Sequence, residues 1–186
     1  MRLTGGLDRG RKLKAPRGLK TRPTASKVRE AVFNILGPPP NGDVLDLFAG
    51  TGSLGIEALS RGAASAVFVE RDSRALAALR KNLAELGLQQ RAAVVGRDVL
   101  QALASLASEG RRFAWVFVDP PYAAGEVEHV LRALGCHGLA AGGVVIVEHD
   151  KRSVPPDESG GLILTDRRYY GDTGLSFYRC QQGLAA

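Results

Sequence analysis

Cysteine is scarce in this chain. Its 186 residues hold two, Cys136 and Cys180, which lack the short ligand spacings of a metal site. The three histidines, His129, His137 and His149, are scattered, so no metal site is expected. With so few thiols, a reducing, cytoplasmic setting is the natural expectation. Long apolar runs are missing too, and nothing in the sequence could cross a bilayer as a helix. The opening stretch, MRLTGGLDRGRKLK, has no apolar segment of the kind a secretory signal needs. Internal repeats and low-complexity tracts are absent. What remains is a globular chain of one domain with a small appendage, 45% hydrophobic and 24% charged, long enough to bury a core without staples.

Acidic residues are in short supply only at one end. Residues 1–29 carry ten Lys or Arg against one acid, Asp8, a net of +9. Because the whole chain is +6, the remainder carries −3. A basic arm on a mildly acidic body points to a polyanionic partner, most often nucleic acid. The segment LTGGLDRGRKLKAP, with its glycines and short apolar positions, predicts a small hairpin or extended arm. In RPTASKVREAVFNILGPPP, Thr24 or Ser26 can cap a helix whose stripe is Val28, Val32, Ile35 and Leu36. Gly37 and three prolines stop it. Lys27 and Arg29 fall off that stripe and are expected to face a ligand.

From Asp43 onward, apolar runs alternate with helical patterns. Strands are expected at 43–48, 65–70, 92–96, 115–119 and 142–148. Helices are expected at 52–60, 73–86, 99–108 and 126–134. Two further strands, 162–170 and 175–180, flank the turn Gly171-Asp172-Thr173-Gly174. The alternation predicts an α/β fold, doubly wound, with a mostly parallel sheet covered on both faces and an antiparallel closing pair.

The first strand runs into LDLFAGTGSLG, which holds Gly50-x-Gly52-x-x-Gly55 at the start of a helix. Glycines there let the backbone turn tightly and approach a bound nucleotide closely. Glu70 ends the next strand, where a carboxylate can accept both hydroxyls of a ribose. Two cofactors fit this pattern. NAD would set its pyrophosphate on the helix N-terminus, whereas S-adenosylmethionine would lay its amino acid part over the loop. Asp46, just before the loop, favours the second, because a carboxylate there can meet a cationic amino acid end. Asp98 follows the third strand and can accept from the adenine amino group. Acids at strand ends also cap helices, but Asp46, Glu70, Asp98 and Asp119 would together line one cleft at the carboxyl edge of the sheet.

The fourth strand ends in Asp119-Pro120-Pro121-Tyr122. An exocyclic amine on a nucleobase is a weak nucleophile, because its lone pair is delocalised into the ring. Two rigid acceptors on its N–H groups would draw that lone pair out of conjugation and bear the developing charge. Asp119 offers a carboxylate oxygen and Pro120 a main-chain carbonyl, while the paired prolines restrict the local backbone. Tyr122 offers a flat face on which an extruded base can stack. The motif suits amine methylation and has no evident use in hydride transfer.

DLFAGTGSLGIEALSRGA, FVERD and VDPPY together resemble a class I S-adenosylmethionine-dependent methyltransferase of the amino-methylating kind. GGLDRGRKL, RPTASKVREAVFN and the late Tyr170-Gly171-Asp172-Thr173 narrow the resemblance to the bacterial RsmD-type family. That family methylates the N2 amine of a guanine in small-subunit (16S) ribosomal RNA. The resemblance implies a Rossmann-like, seven-stranded sheet with an antiparallel last strand and a small basic N-terminal extension. It divides the chain into an arm and helix, 1–40, and a methyltransferase domain, 41–186. The implied cofactor contacts are Asp46, Phe48, Gly50, Thr51, Gly52, Gly55, Glu70, Arg71, Asp98 and Val99. The implied catalytic stretch is Asp119 to Tyr122. Arg11, Lys12, Arg22, Thr24, Lys27 and Arg29 are the expected RNA contacts. The expected partner is small-subunit ribosomal RNA, free or within a 30S particle, met by a monomer.

Three rivals fit parts of the pattern. A DNA adenine-N6 methyltransferase shares the Asp-Pro-Pro-Tyr stretch, but this chain has no room for a separate target-recognition domain. An NAD-dependent oxidoreductase shares the glycine loop. A non-catalytic RNA-binding assembly factor could keep the fold, and the intact Asp-Pro-Pro-Tyr argues against it.

Overall fold

The computed structural model describes residues 1–16, 23–39, 42–120 and 124–181, with the side chains of 23–25 and 124 excepted. Helix α1 (Pro23–Leu36) leads into strand β1 (Asp43–Leu47), α2 (Ser53–Ser60), β2 (Ser65–Val69) and α3 (Ser73–Glu85). A single 3-10 turn, Gln89–Arg91, precedes β3 (Ala92–Val95), α4 (Val99–Ser108), β4 (Trp115–Val118) and α5 (Ala124–Cys136). Strands β5 (Val144–Asp150), β6 (Glu158–Ser159), β7 (Leu162–Tyr170) and β8 (Thr173–Cys180) complete the chain.

One sheet takes all eight strands in the order β3-β2-β1-β4-β5-β8-β7-β6. The first five run parallel, so their carboxyl ends share one edge. The order reverses between β1 and β4, and ligands of open α/β sheets collect at that reversal. The expected closing pair forms, but β8 lies inside the sheet, antiparallel to both β5 and β7. The two-residue β6 adds an eighth strand to the seven implied by the resemblance.

Alternation along the central strands feeds two apolar layers. Leu45, Leu47, Val116 and Val118 turn toward the layer that holds Leu103 of α4 and Leu131 of α5. Val44, Trp115 and Phe117 turn the other way, toward Val32, Phe33, Ile56 and Leu79 from α1, α2 and α3. Phe33 packs edge-on to Trp115 and Phe117, with ring centroids 6.1 and 5.7 Å apart. This contact fixes α1 against β4. The helix begins at Pro23, a favoured first helical residue. Thr24 and Ser26 therefore sit inside the first turn instead of capping it. Gly37, at φ 74°, closes the other end.

The arm forms the small hairpin expected of it. Arg2 bridges Lys12 in antiparallel fashion, and the Leu3 N–H donates to Arg11 O at 3.0 Å. Leu3 and Leu13 are sunk in the core layer of α1, α2 and α3.

Candidate active site

Asp46 occupies a core position. It alternates with Val44 on the face that packs on α1 to α3, and its neighbours across the sheet are Phe68 and Phe117. Its exposure is 2%, and Oδ2 accepts the Gly55 N–H at 2.9 Å. Burial pushes the carboxyl up to about 8 against that hydrogen bond, and the charges of Asp119 and Glu70 push it further the same way. Within the protein, then, this carboxylate is surrounded by apolar rings and like charge. A cation brought from outside would relieve it.

The glycine loop is folded around this acid. Phe48 has φ 57°, a left-handed conformation that costs a residue with a side chain about 1–3 kcal/mol. Gly50 and Gly52 follow at φ 55° and 84°. A Cβ on Gly52 would lie 2.4 Å from Cδ1 of Leu79, and one on Gly55 2.3 Å from the Phe68 ring. These two glycines let the loop and α2 sit directly on the layer beneath. Gly50 is different, because the nearest atom to a Cβ there would be Phe48 O at 3.9 Å. Its outer side is open, as a loop that carries a ligand requires.

Glu70, one residue past β2, braces the loop. Its Oε2 accepts the Gly50 N–H at 2.8 Å, and its Oε1 accepts the N–H groups of Arg71 and Asp72, both at 2.8 Å. Asp98 caps α4 by accepting the Leu100 N–H at 3.0 Å. Its Oδ2 lies 3.6 Å from the Arg71 guanidinium, so two of the expected cofactor residues meet each other. Val99 is buried in the layer with α4, and Thr51 is half-buried between the glycines. Asp119 and Pro120 follow β4 directly, one strand over from Asp46. Asp119 is exposed and Pro120 half-buried. Pro121 and Tyr122 lie outside the described residues.

A buried carboxyl raised to about 8, next to an open glycine loop, fits a cofactor whose cationic amino acid end would favour its ionised form. It fits a pyrophosphate poorly, since the nearby acids Glu70 and Asp119 would repel one and nothing would draw the proton from Asp46. Among the described residues there is no His, Cys, Asp and Glu cluster able to hold a metal ion.

The basic residues part company. Lys27 is exposed on α1, and Lys12 is exposed on the arm. Arg11 pairs with Asp8 at 3.4 Å and donates to Glu85 O at 2.6 Å. Arg29 does not face a ligand as expected. It is 3% exposed, ion-paired with Glu57 at 3.2 Å, and donates to Arg2 O at 2.5 Å. Glu57 supplies the inward partner that the apolar stripe did not reveal. Arg22 lies outside the described residues, and of Thr24 only the backbone is described.

Two residues with structural weight escaped the sequence reading. Glu57 of α2 accepts from Thr4 N, Thr4 Oγ1, Arg29 and Arg61. Asn82 of α3 accepts the Lys14 N–H at 2.8 Å and donates to Lys14 O and Thr51 O at 3.0 and 3.1 Å. Glu57 is a charged residue between apolar neighbours in α2, and that was its available signal; Asn82, next to Arg80 and Lys81, offered none. The hairpin turn is held farther down α2, where Ser60 O accepts the Leu7 N–H and Ser60 Oγ the Asp8 N–H. Eight residues of helix cover about 12 Å, so the turn of the arm is held that far from the glycine loop.

A model of the family described as conserved hypothetical protein 95 matches residues 1–179. The chain is 40% identical over 181 residues to a putative rRNA methyltransferase, YlbH, of Bacillus subtilis, covering 96% of this chain and 98% of that one. It is 38% identical over 181 residues to the ribosomal RNA small subunit methyltransferase D of Escherichia coli, covering 96% and 89%. Among solved structures, a putative methyltransferase, yhhF, from Escherichia coli superimposes with a TM-score of 0.83 at 34% identity, over 98% of this chain and 99% of that one. A putative methyltransferase complexed with SAH gives 0.67 at 17% identity, over 85% and 50%, a likeness of fold alone.

Proposed function

The chain belongs to the family described as conserved hypothetical protein 95, and from that premise we propose that it methylates ribosomal RNA from S-adenosylmethionine, at the exocyclic N2 amine of a guanine in the small-subunit RNA. The observation that carries this reading is a pairing on adjacent strands. Asp46, a buried acid in want of a cation, lies on β1 beside the glycine loop. Asp119 and Pro120, a pair of acceptors, leave β4 next to it. The relatives named for rRNA methylation support the substrate class.

The chain's own residues divide the work. Asp46 balances the cationic amino acid end of the cofactor, the open side of Gly50 admits it, and Phe48, Thr51, Gly52 and Gly55 shape its seat. Glu70 and Asp98 offer acceptors to its ribose and adenine, with Arg71 holding Asp98. Bound there, S-adenosylmethionine supplies a methyl group on a cationic sulfur. Asp119 accepts from one N–H of the guanine amine and the Pro120 carbonyl from the other, which raises the amine's nucleophilicity and orients it. Proton loss follows transfer, so Asp119 orients first and takes the proton second. Pro121, as a proline, restricts the backbone next to Pro120, and Tyr122 offers a face on which the extruded base can stack. Lys27, Lys12, Arg11 and Arg22 draw in phosphates, aided by Thr24. The acceptor is small-subunit ribosomal RNA, free or within an assembled or assembling 30S particle, met by a monomer.

Labelled S-adenosylmethionine tests the reading with three acceptors: unmethylated small subunits, naked small-subunit RNA and duplex DNA. Label in N2-methylguanosine after digestion is the expected result. Label in N6-methyladenine instead would keep the Asp119 chemistry and overturn the substrate. Asp119→Ala should bind cofactor normally and lose about 10²–10³ in kcat, the scale of a lost transition-state hydrogen bond. Retained turnover would sink the mechanism.

A further inference from the structure

The basic arm and the cofactor loop are far apart in sequence, yet one side chain holds both. Asn82 is 1% exposed and uses its whole amide. Its Oδ1 takes the Lys14 N–H, while Nδ2 donates to Lys14 O and, at 3.1 Å, to Thr51 O. Toward Lys14 it acts as a neighbouring strand would, satisfying both main-chain groups of one residue. Toward Thr51 it holds the carbonyl set between Gly50 and Gly52. The same helix supports the loop a second time, through Leu79 beneath Gly52.

The loop is strained at Phe48 and has left-handed backbone at Gly50 and Gly52. The Phe48 conformation persists only when its surroundings over-determine it. An unpaired buried carbonyl or amide is costly, so Asn82 cannot release Lys14 without leaving polar groups exposed to an apolar layer. Arm seating and loop shape are therefore joined through one amide.

We infer that Asn82 is a positioning residue that ties the seating of the basic arm at Lys14 to the cofactor-binding shape of the glycine loop. The inference rests on the methyltransferase reading and deepens it. It makes the arm part of the cofactor site as well as an RNA contact.

The test acts on the arm and reads the loop. Lys14→Pro deletes the N–H that Asn82 accepts, whereas Lys14→Ala keeps it and removes only the exposed charge facing Glu85. The full chain is titrated calorimetrically with S-adenosylmethionine as wild type, Asn82→Ala, Lys14→Pro, Lys14→Ala and the Asn82→Ala/Lys14→Pro double variant. Asn82→Ala and Lys14→Pro should each weaken the cofactor about fivefold or more, the lower end of site-to-site coupling. The double variant should weaken it no further, and Lys14→Ala should match wild type. Hydrogen exchange should show faster amides at 50–55 in Lys14→Pro, and turnover should show a raised cofactor KM with kcat unchanged. Wild-type affinity and loop protection in Lys14→Pro would overturn the inference alone. Failure of the wild type to bind S-adenosylmethionine would overturn the methyltransferase reading, and this inference with it.

Discussion

Two buried carboxylates sit on neighbouring elements of this fold with opposite surroundings. Glu57 is 0% exposed and meets two guanidiniums, a hydroxyl and a main-chain N–H. Asp46 is as deeply buried, but its hydrogen bond comes from a single amide and the nearest charges are negative. The first is balanced from within, by Thr4 of the arm, Arg29 of α1 and Arg61 just past α2. Among the described residues, no cation balances the second. A buried charge with its counter-charges in place belongs to the architecture. One that lacks counter-charges is what the proposed cofactor would complete.

Removing each carboxylate breaks the comparison in opposite directions. Glu57→Ala should cost about 3–5 kcal/mol of unfolding free energy, because it strands the Arg29 guanidinium in the core. Chemical denaturation checks this, and Arg29→Ala should cost about as much while the pair falls short of additive. Asp46→Asn should leave the cofactor-free protein as stable as wild type below about pH 4 and increasingly more stable as the pH rises toward 8. It should weaken S-adenosylmethionine by about 1.5–3 kcal/mol, the scale of a lost charged hydrogen bond.

Proton titration sharpens the same contrast. The Asp46 carboxyl is raised from 3.8 in the unfolded chain to about 8 in the fold. The folded protein therefore binds this proton more tightly than the unfolded chain does. Its contribution to stability is complete below about pH 4 and is lost as the pH rises toward 8. Melting curves of wild type and Asp46→Asn should diverge over that window. Cofactor affinity should move the other way, rising with pH until Asp46 is ionised. Calorimetry near pH 7 in buffers of different ionisation enthalpy should register the proton that binding releases.

The smallest expected effect lies on the surface. Lys27→Ala should weaken RNA binding by less than about 1 kcal/mol and lower the salt slope by about 1, the signature of one phosphate contact.

The parallel core was legible because strands buried on both faces spell continuous apolar runs, as SAVFV and WVFV do here. The glycine loop after β1 and the places of Glu70, Asp98 and Asp119 just past their strands were legible from residue type and spacing, whereas Asp46, expected at a strand end, lies inside β1 on its core face. What failed was long-range. Arg29 was assigned to a ligand by its position off an apolar stripe, yet its partner Glu57 is 28 residues away. Asn82 hid inside the leucine stripe of α3 because a periodicity of apolar residues says nothing of a buried amide. Strand β6 has two residues and no periodicity to read. The cap of α1 was misplaced by a few residues, since Pro23 opens the helix ahead of the hydroxyls that looked like caps.

The position of β8 also has a consequence for how the molecule comes into being. Within the sheet, β7 touches β8 and β6 only, so the parallel half reaches β7 solely through β8. Yet β7 precedes β8 in synthesis. Until β8 arrives, the edge of β5 stays bare and the β6–β7 segment has no place in the sheet. A nascent chain can assemble β1 to β4 early, but its sheet closes late, by an insertion between two strands already made. Such non-local pairing is slow and leaves strand edges open in the interval. The enzyme's vulnerable moment would then be the interval before β8 joins, when most of the site exists and one strand is still missing from the sheet.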